Sequence, residues 1–159
     1  MATVLSGFLT NDKPQAALEG YDNVGGTVVN TASWISVPSL RTVRTQTDAS
    51  VMQAISLTTA RVNVSGLYFI SYRCSLTILA GHSRSTSTAA IGINSSPLAG
   101  TRSWSYHKQS GNGAGTLVGS ALLTLAANTD VSVLAARVSG SANLTLIPDG
   151  TGLIITRLY

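Results

Sequence analysis

The chain has 159 residues, enough for one domain that buries roughly 70% of the surface its unfolded form exposes, and only 10% of them are charged. A net charge of +4 beside 44% hydrophobic residues lies outside the composition of disordered tails. Ser, Thr, Gly, Ala and Val dominate, Glu19 is the single glutamate, and Lys13 and Lys108 are the only lysines, so a long surface helix has little from which to build a polar face. No basic segment followed by an apolar run opens the chain, which predicts neither a signal peptide nor a membrane partner and places synthesis in the cytosol.

Residues 1–32 mix Leu5, Phe8, Leu9, Leu18 and Tyr21 with turn formers such as Asn11, Pro14, Gly20, Gly25 and Gly26, and they show no steady period. They read as an extended N-terminal arm, with one helical turn available to residues 14–19 behind Pro14. Strand candidates then follow at 27–30, 33–37, 40–46, 51–57, 60–64, 67–79, 88–94, 101–108, 115–125, 130–138, 143–147 and 152–158, separated by turn residues. Short strands in this number, without intervening helical patterns, predict an all-β antiparallel sandwich or barrel over residues 33–159. Neither heptads nor collagen triplets occur, so the chain contains no coiled-coil or triple-helical shaft.

The clearest strand is 67–79. Its period of two puts Tyr68, Ile70, Tyr72, Cys74, Leu76 and Ile78 on one face and Ser71, Arg73, Ser75 and Thr77 on the other. Leu67 and Phe69 break the polar face, which predicts that they lie beneath another segment or meet another chain. Cys74, the only cysteine, falls on the apolar face and reads as a buried thiol. Without an export signal, the Asn-x-Ser/Thr sequences at Asn63, Asn94 and Asn143 read as chance matches.

The arginines are spread along the chain in no block, which argues against a nucleic-acid partner and suits an acidic protein surface. Carboxylates are scattered singly, with no metal loop or acid/base pair, and Asp130 reads as the cap of a turn. His82 sits in a Ser-rich loop with no carboxylate close in sequence, and Cys74 is on a buried face, so neither predicts a catalytic group. No enzyme activity, cofactor or metal site is expected. The richest constellation is Arg102, Trp104, Tyr106, His107 and Lys108, ahead of a glycine-rich loop. Arg102, Trp104, Tyr106 and Lys108 share parity, so either one exposed face joins aromatic and basic groups, or the two rings fill the core with basic neighbours at its edge. The exposed reading, with His82 and Arg84 from the adjacent loop, makes these residues a candidate face for a glycan or protein receptor.

The segment Gly66-Leu67-Tyr68-Phe69-Ile70 resembles the Gly-x-Tyr-x-hydrophobic signature strand of the tumour-necrosis-factor and complement globular-head superfamily. Ala60 to Val64 before it, Ile91-Gly92-Ile93-Asn94 after it, the late pair Ser120 to Leu125 and Asp130 to Val133, and the closing Gly152 to Ile155 are similar to further strands of that family. The resemblance implies a jelly roll of about ten strands, assembled as a homotrimer through one sheet, with Leu67 and Phe69 as candidate interface residues. The missing signal peptide and disulfides point to its bacterial and bacteriophage members, which are trimeric knobs and surface proteins. The expected role is therefore a virion structural protein made in the host cytoplasm. It would decorate the capsid or form a head fibre, docked on the major capsid protein or another virion protein through arm residues Leu5, Phe8, Leu9, Leu18 and Tyr21. The alternative is a receptor-binding knob of a tail tip or short fibre that holds host surface glycan.

Overall fold

The structure, a computed structural model, describes residues 16–79, 84–108 and 113–159. Strands form where β-branched and aromatic residues alternate with small polar ones, because a pleated surface buries every second side chain. In chain order they are β1 (Ala17–Asp22), β2 (Val28–Val29), β3 (Ile35–Val37), β4 (Thr42–Gln46), β5 (Met52–Ala54), β6 (Thr59–Val62) and β7 (Gly66–Ile78). The second half supplies β8 (Ser85–Ile93), β9 (Ser96–Pro97), β10 (Ser103–His107), β11 (Gly115–Leu125), β12 (Thr129–Gly140), β13 (Leu144–Leu146) and β14 (Thr151–Arg157).

These strands make two antiparallel sheets packed face to face. In the first, β7 pairs with β11 along one edge from Gly66 to Leu76, while β14 and then β13 share its other edge; β1 lies outside β14, β4 outside β1, and β2 outside β13. In the second, β12 is central, with β8 and then β10 on one side and β6, β5 and β3 on the other; β9 folds back on β8. Leu18, Tyr68, Ile70, Leu76, Leu144, Leu153 and Ile155 of the first sheet pack against Val62, Ala89, Ile91, Val131, Val133 and Ala135 of the second. The fold is the all-β jelly-roll sandwich expected. The described residues form fourteen strands rather than about ten, because several have only two or three residues.

The arm boundary at residue 32 is corrected. Residues 17–22, assigned above to an arm with a helical turn, form a strand hydrogen-bonded between β14 and β4, and β2 extends the same sheet. Leu18 is fully buried and Tyr21 half-buried, so Leu18 is a core residue, not an anchor free to dock elsewhere. Asp22 ends β1 pointing inward. Its Oδ1 accepts from Arg41 Nε at 2.8 Å and from the Val24 amide at 3.1 Å, which compensates a carboxylate that burial would otherwise disfavour. Leu5, Phe8 and Leu9 lie outside the described residues. Asp130 is no turn cap either: within β12 it takes two hydrogen bonds from Arg61, at 2.8 and 3.0 Å.

The signature residues of β7 each answer a packing demand. A Cβ on Gly66 would strike the Tyr159 carbonyl, which is held alongside because the Leu67 amide donates to it and the Leu158 amide donates to the Leu67 carbonyl. The Tyr68 hydroxyl donates to the Val64 carbonyl at 2.6 Å and closes the turn that leads into the strand. The Tyr72 hydroxyl crosses to the second sheet, with the carbonyls of Ala89 and Thr101 at 2.8 and 2.9 Å as acceptors and the Ser103 hydroxyl at 3.0 Å. Tyr72→Phe leaves that buried cluster without its phenol and is expected to lower unfolding free energy by about 1–3 kcal/mol, read from urea midpoints; an unchanged midpoint would remove the hydroxyl from any sheet-locking role.

Candidate functional site

The two outer faces of the sandwich carry the groups that the core does not use. On the first sheet, register brings Leu122 of β11 beside Phe69 of β7, then Thr156 of β14 and Ala17 of β1; one row along lie Ser120, Ser71, Ile154 and Glu19; the next holds Val118, Arg73, Gly152 and Tyr21. Phe69 is 40% exposed, Ile154 41%, Leu122 58% and Val118 60%, so this sheet presents apolar side chains outward from three adjacent strands, with Ser71, Ser120 and Arg73 among them. Leu67 is half-buried on the same face. β7 alone suggests a polar face interrupted twice; the pairing with β11 and β14 sets Leu122 beside Phe69 and adds Ile154 and Val118, a patch of apolar groups gathered around Ser71 and Ser120. At its far side Arg44 donates to Glu19 at 2.8 Å and lies over the Tyr21 ring, 5.0 Å from its centroid. A shallow depression of about 220 Å³ runs from Glu19 and Arg44 past Arg73 to Val118.

On the second sheet, Arg102, Trp104, Tyr106 and Lys108 all point outward, while Ser103, Ser105 and His107 point in. Trp104 is 62% exposed and Tyr106 52%, which decides between the two readings open from the sequence: neither ring fills the core. Register carries the row from Trp104 across Thr88 of β8 to Ala136 of β12, and Trp34, the residue just ahead of β3, stands on the far side. The Arg102 guanidinium lies over the Trp34 ring, 5.4 Å from its centroid. These residues line a groove of about 230 Å³. Sequence reasoning missed Trp34; its only signal was that the chain has two tryptophans, and it is 70 residues from Trp104. Arg84 is exposed just before β8, and His82 lies outside the described residues.

The inward side of β10 holds an arrangement with the look of nucleophilic chemistry. Ser87 Oγ is 2.8 Å from His107 Nε2, and His107 Nδ1 faces the Gly113 carbonyl. A carbonyl only accepts, so Nδ1 carries the proton and Nε2 accepts from the serine hydroxyl, the proton arrangement of a serine–histidine dyad. Both residues are fully buried, so no substrate atom reaches the hydroxyl, and the pair ties the chain after β10 to β8. Cys74 is likewise sealed, as expected: burial pushes its thiol up to about 12, which leaves no thiolate at neutral pH. Among the described residues no group of three or more His, Cys, Asp or Glu side chains converges to hold a metal, and no helix is long and apolar enough to cross a membrane.

No protein-family model matches this sequence, and no curated protein matches it either. Solved structures do. The chain is similar to murine APRIL, with 14% identity and a TM-score of 0.58 over 91% of this chain and 99% of that one. It is also similar to the Eiger TNF of S. frugiperda, with 13% identity and a TM-score of 0.57 over 92% and 94%. Identity this low establishes shared architecture: the sandwich is a TNF-like jelly roll.

The buried acids set an alkaline limit on stability. Desolvation raises Cys74 and also the phenols of Tyr72 and Tyr68 above their ordinary values. Each therefore loses its proton more readily in the unfolded chain. Stability is fully present below pH 9 and falls as pH rises from 9, the ordinary thiol value, towards about 12. Urea midpoints are expected to be level from pH 7 to 9 and to decline above it, with a shallower decline in Cys74→Ala; a variant with the same slope as the parent would show that Cys74 does not carry it.

Proposed function

We propose that the protein is a non-enzymatic structural protein of a bacteriophage virion, assembled as a homotrimer through the outer face of the first sheet. The observation that carries the self-association is the patch of Phe69, Leu122, Val118 and Ile154, with Leu67 at its margin. Neighbouring large apolar side chains on a paired, regular sheet are costly in water and are relieved when a second copy covers them. An obligate contact of this kind buries on the order of 2,000 Å² or more. The threefold count and the placement in a particle rest on the resemblance of the signature strand to the trimeric bacterial and bacteriophage members of that superfamily. Net charge of +4 suits an acidic capsid exterior. With β1 committed to the sheet, docking on the capsid falls to the residues ahead of it.

A second reading, host attachment by a receptor-binding knob, is favoured by the groove between Trp34 and Trp104, which lies on the opposite side of the sandwich from the patch and remains open when the patch is covered.

Light scattering on the purified chain is expected to give about three times 16.4 kDa. Phe69→Asp and Leu122→Asp each put a carboxylate into the patch and are expected to yield monomers with an unchanged β-sheet circular dichroism spectrum. A monomeric parent, or two variants that stay trimeric, would remove this face from the assembly. Co-sedimentation with virions lacking the protein tests the particle role separately: recovery in the pellet is expected, and a trimer left wholly in the supernatant would move the assignment to the knob.

A further inference from the structure

We propose that the groove on the second sheet binds a carboxylated saccharide, stacked on Trp104 and held by Arg102, whose guanidinium Trp34 steadies; this deepens the receptor-binding reading and rests on it. Trp104, Thr88 and Ala136 follow one another across β10, β8 and β12, and Trp34 is the residue ahead of Ile35, which pairs with Ala135 of β12, so the two tryptophans are about 14 Å apart at the backbone, three strand spacings. Between them the floor is made of small side chains, Thr88 and Ala136, so the indole surfaces stand above a trough of about 230 Å³.

Three features select the occupant. The floor strands are paired with each other, so their backbone groups are spent in the ladders and offer nothing to an added peptide strand. Recognition must come from side chains, and flat aromatic surfaces suit a ligand with an apolar face and polar edges, which is how a sugar ring is built. The Thr88 hydroxyl donates to the Ser103 carbonyl at 2.9 Å, which leaves its lone pairs to accept from a ligand hydroxyl. Charge supplies the last feature. The carboxylates of Asp22, Glu19 and Asp130 are engaged by Arg41, Arg44 and Arg61, whereas Arg102 has no carboxylate within salt-bridge distance among the described residues. Its guanidinium, steadied on Trp34, presents unused donors in the fork that matches a carboxylate. The same positive charge repels a cationic ligand from an otherwise cation-attracting pair of indoles.

The test titrates the full chain with oligogalacturonate, sialyllactose and a hyaluronan octasaccharide, with maltohexaose as the neutral sugar and an oligoglutamate peptide as the charged non-sugar, and follows tryptophan fluorescence and calorimetric heat. Saturable binding of at least one acidic saccharide is expected, weakened tenfold or more by Trp104→Ala and by Arg102→Ala, with Arg102→Lys recovering part of the loss and the mass in solution unchanged in each variant. Silence from all three acidic saccharides, equal binding of maltohexaose, or binding of oligoglutamate alone would each overturn the proposal. Adhesion of the labelled protein to encapsulated bacteria separates the two levels of the claim. Adhesion that persists undiminished in Trp104→Ala overturns the groove and keeps the receptor-binding reading, while absence of both adhesion and saccharide binding overturns both.

Discussion

The double pairing of β7 is the constraint on which the rest depends. This thirteen-residue strand is hydrogen-bonded along one edge to β11 and along the other to β14 and β13, so its register is fixed from both sides. A slip of one residue would send Tyr68, Ile70, Tyr72, Cys74 and Leu76 into water and pull Arg73 into the core, a change no local adjustment can offset. Tyr72 extends the constraint to the second sheet through the carbonyls of Ala89 and Thr101, so the two layers are aligned by polar as well as apolar contacts. Once β7 is set, the residues of β11 and β14 that flank Phe69 and Arg73 have no choice of face.

That alternation gives the sandwich two outer faces of different chemistry. The first sheet turns Phe69, Leu122, Val118 and Ile154 outward, chiefly aliphatic groups suited to a dry contact with another copy. The second turns out two indoles, a phenol and a guanidinium above a floor of small residues, which suits a ligand with polar edges. The buried Ser87–His107 pair belongs to neither face. It shows how a hydrogen-bond pattern familiar from catalysis serves packing when solvent cannot reach it.

The sequence was legible where a strand was long. β7 and β11 announced themselves because their inward positions repeat over eleven or more residues. Short strands were legible where β-branched or aliphatic residues stand together, as β2, β3, β5 and β13 do within 27–30, 33–37, 51–57 and 143–147, whereas β9, Ser96–Pro97, is shorter than any period and could be found only as the partner of β8. β1 reads as an arm for a related reason: Leu18 is the one large apolar residue among its inward positions, with Gly20 and Asp22 completing the set, and Asp22 is tolerated because Arg41 and the Val24 amide meet it. Parity placed Arg102, Trp104, Tyr106 and Lys108 together, but whether they faced in or out needed the second sheet. Trp34 was invisible for another reason: its place opposite Trp104 is a property of the β3–β12–β8–β10 order, not of any spacing along the chain.

The central claim is that the outer face of the first sheet is covered by other copies of the chain while the outer face of the second is open. The sealed Cys74 makes a thiol-labelling comparison clean, because an introduced cysteine is the only reactive one. Ser120→Cys places a thiol in the middle of the patch and Lys108→Cys places one on the far side of the sandwich, both at exposed positions of the single chain. In the native assembly at pH 7.5 the account predicts that maleimide reacts promptly with Lys108→Cys and at least tenfold more slowly with Ser120→Cys. Equal rates at the two positions would contradict it.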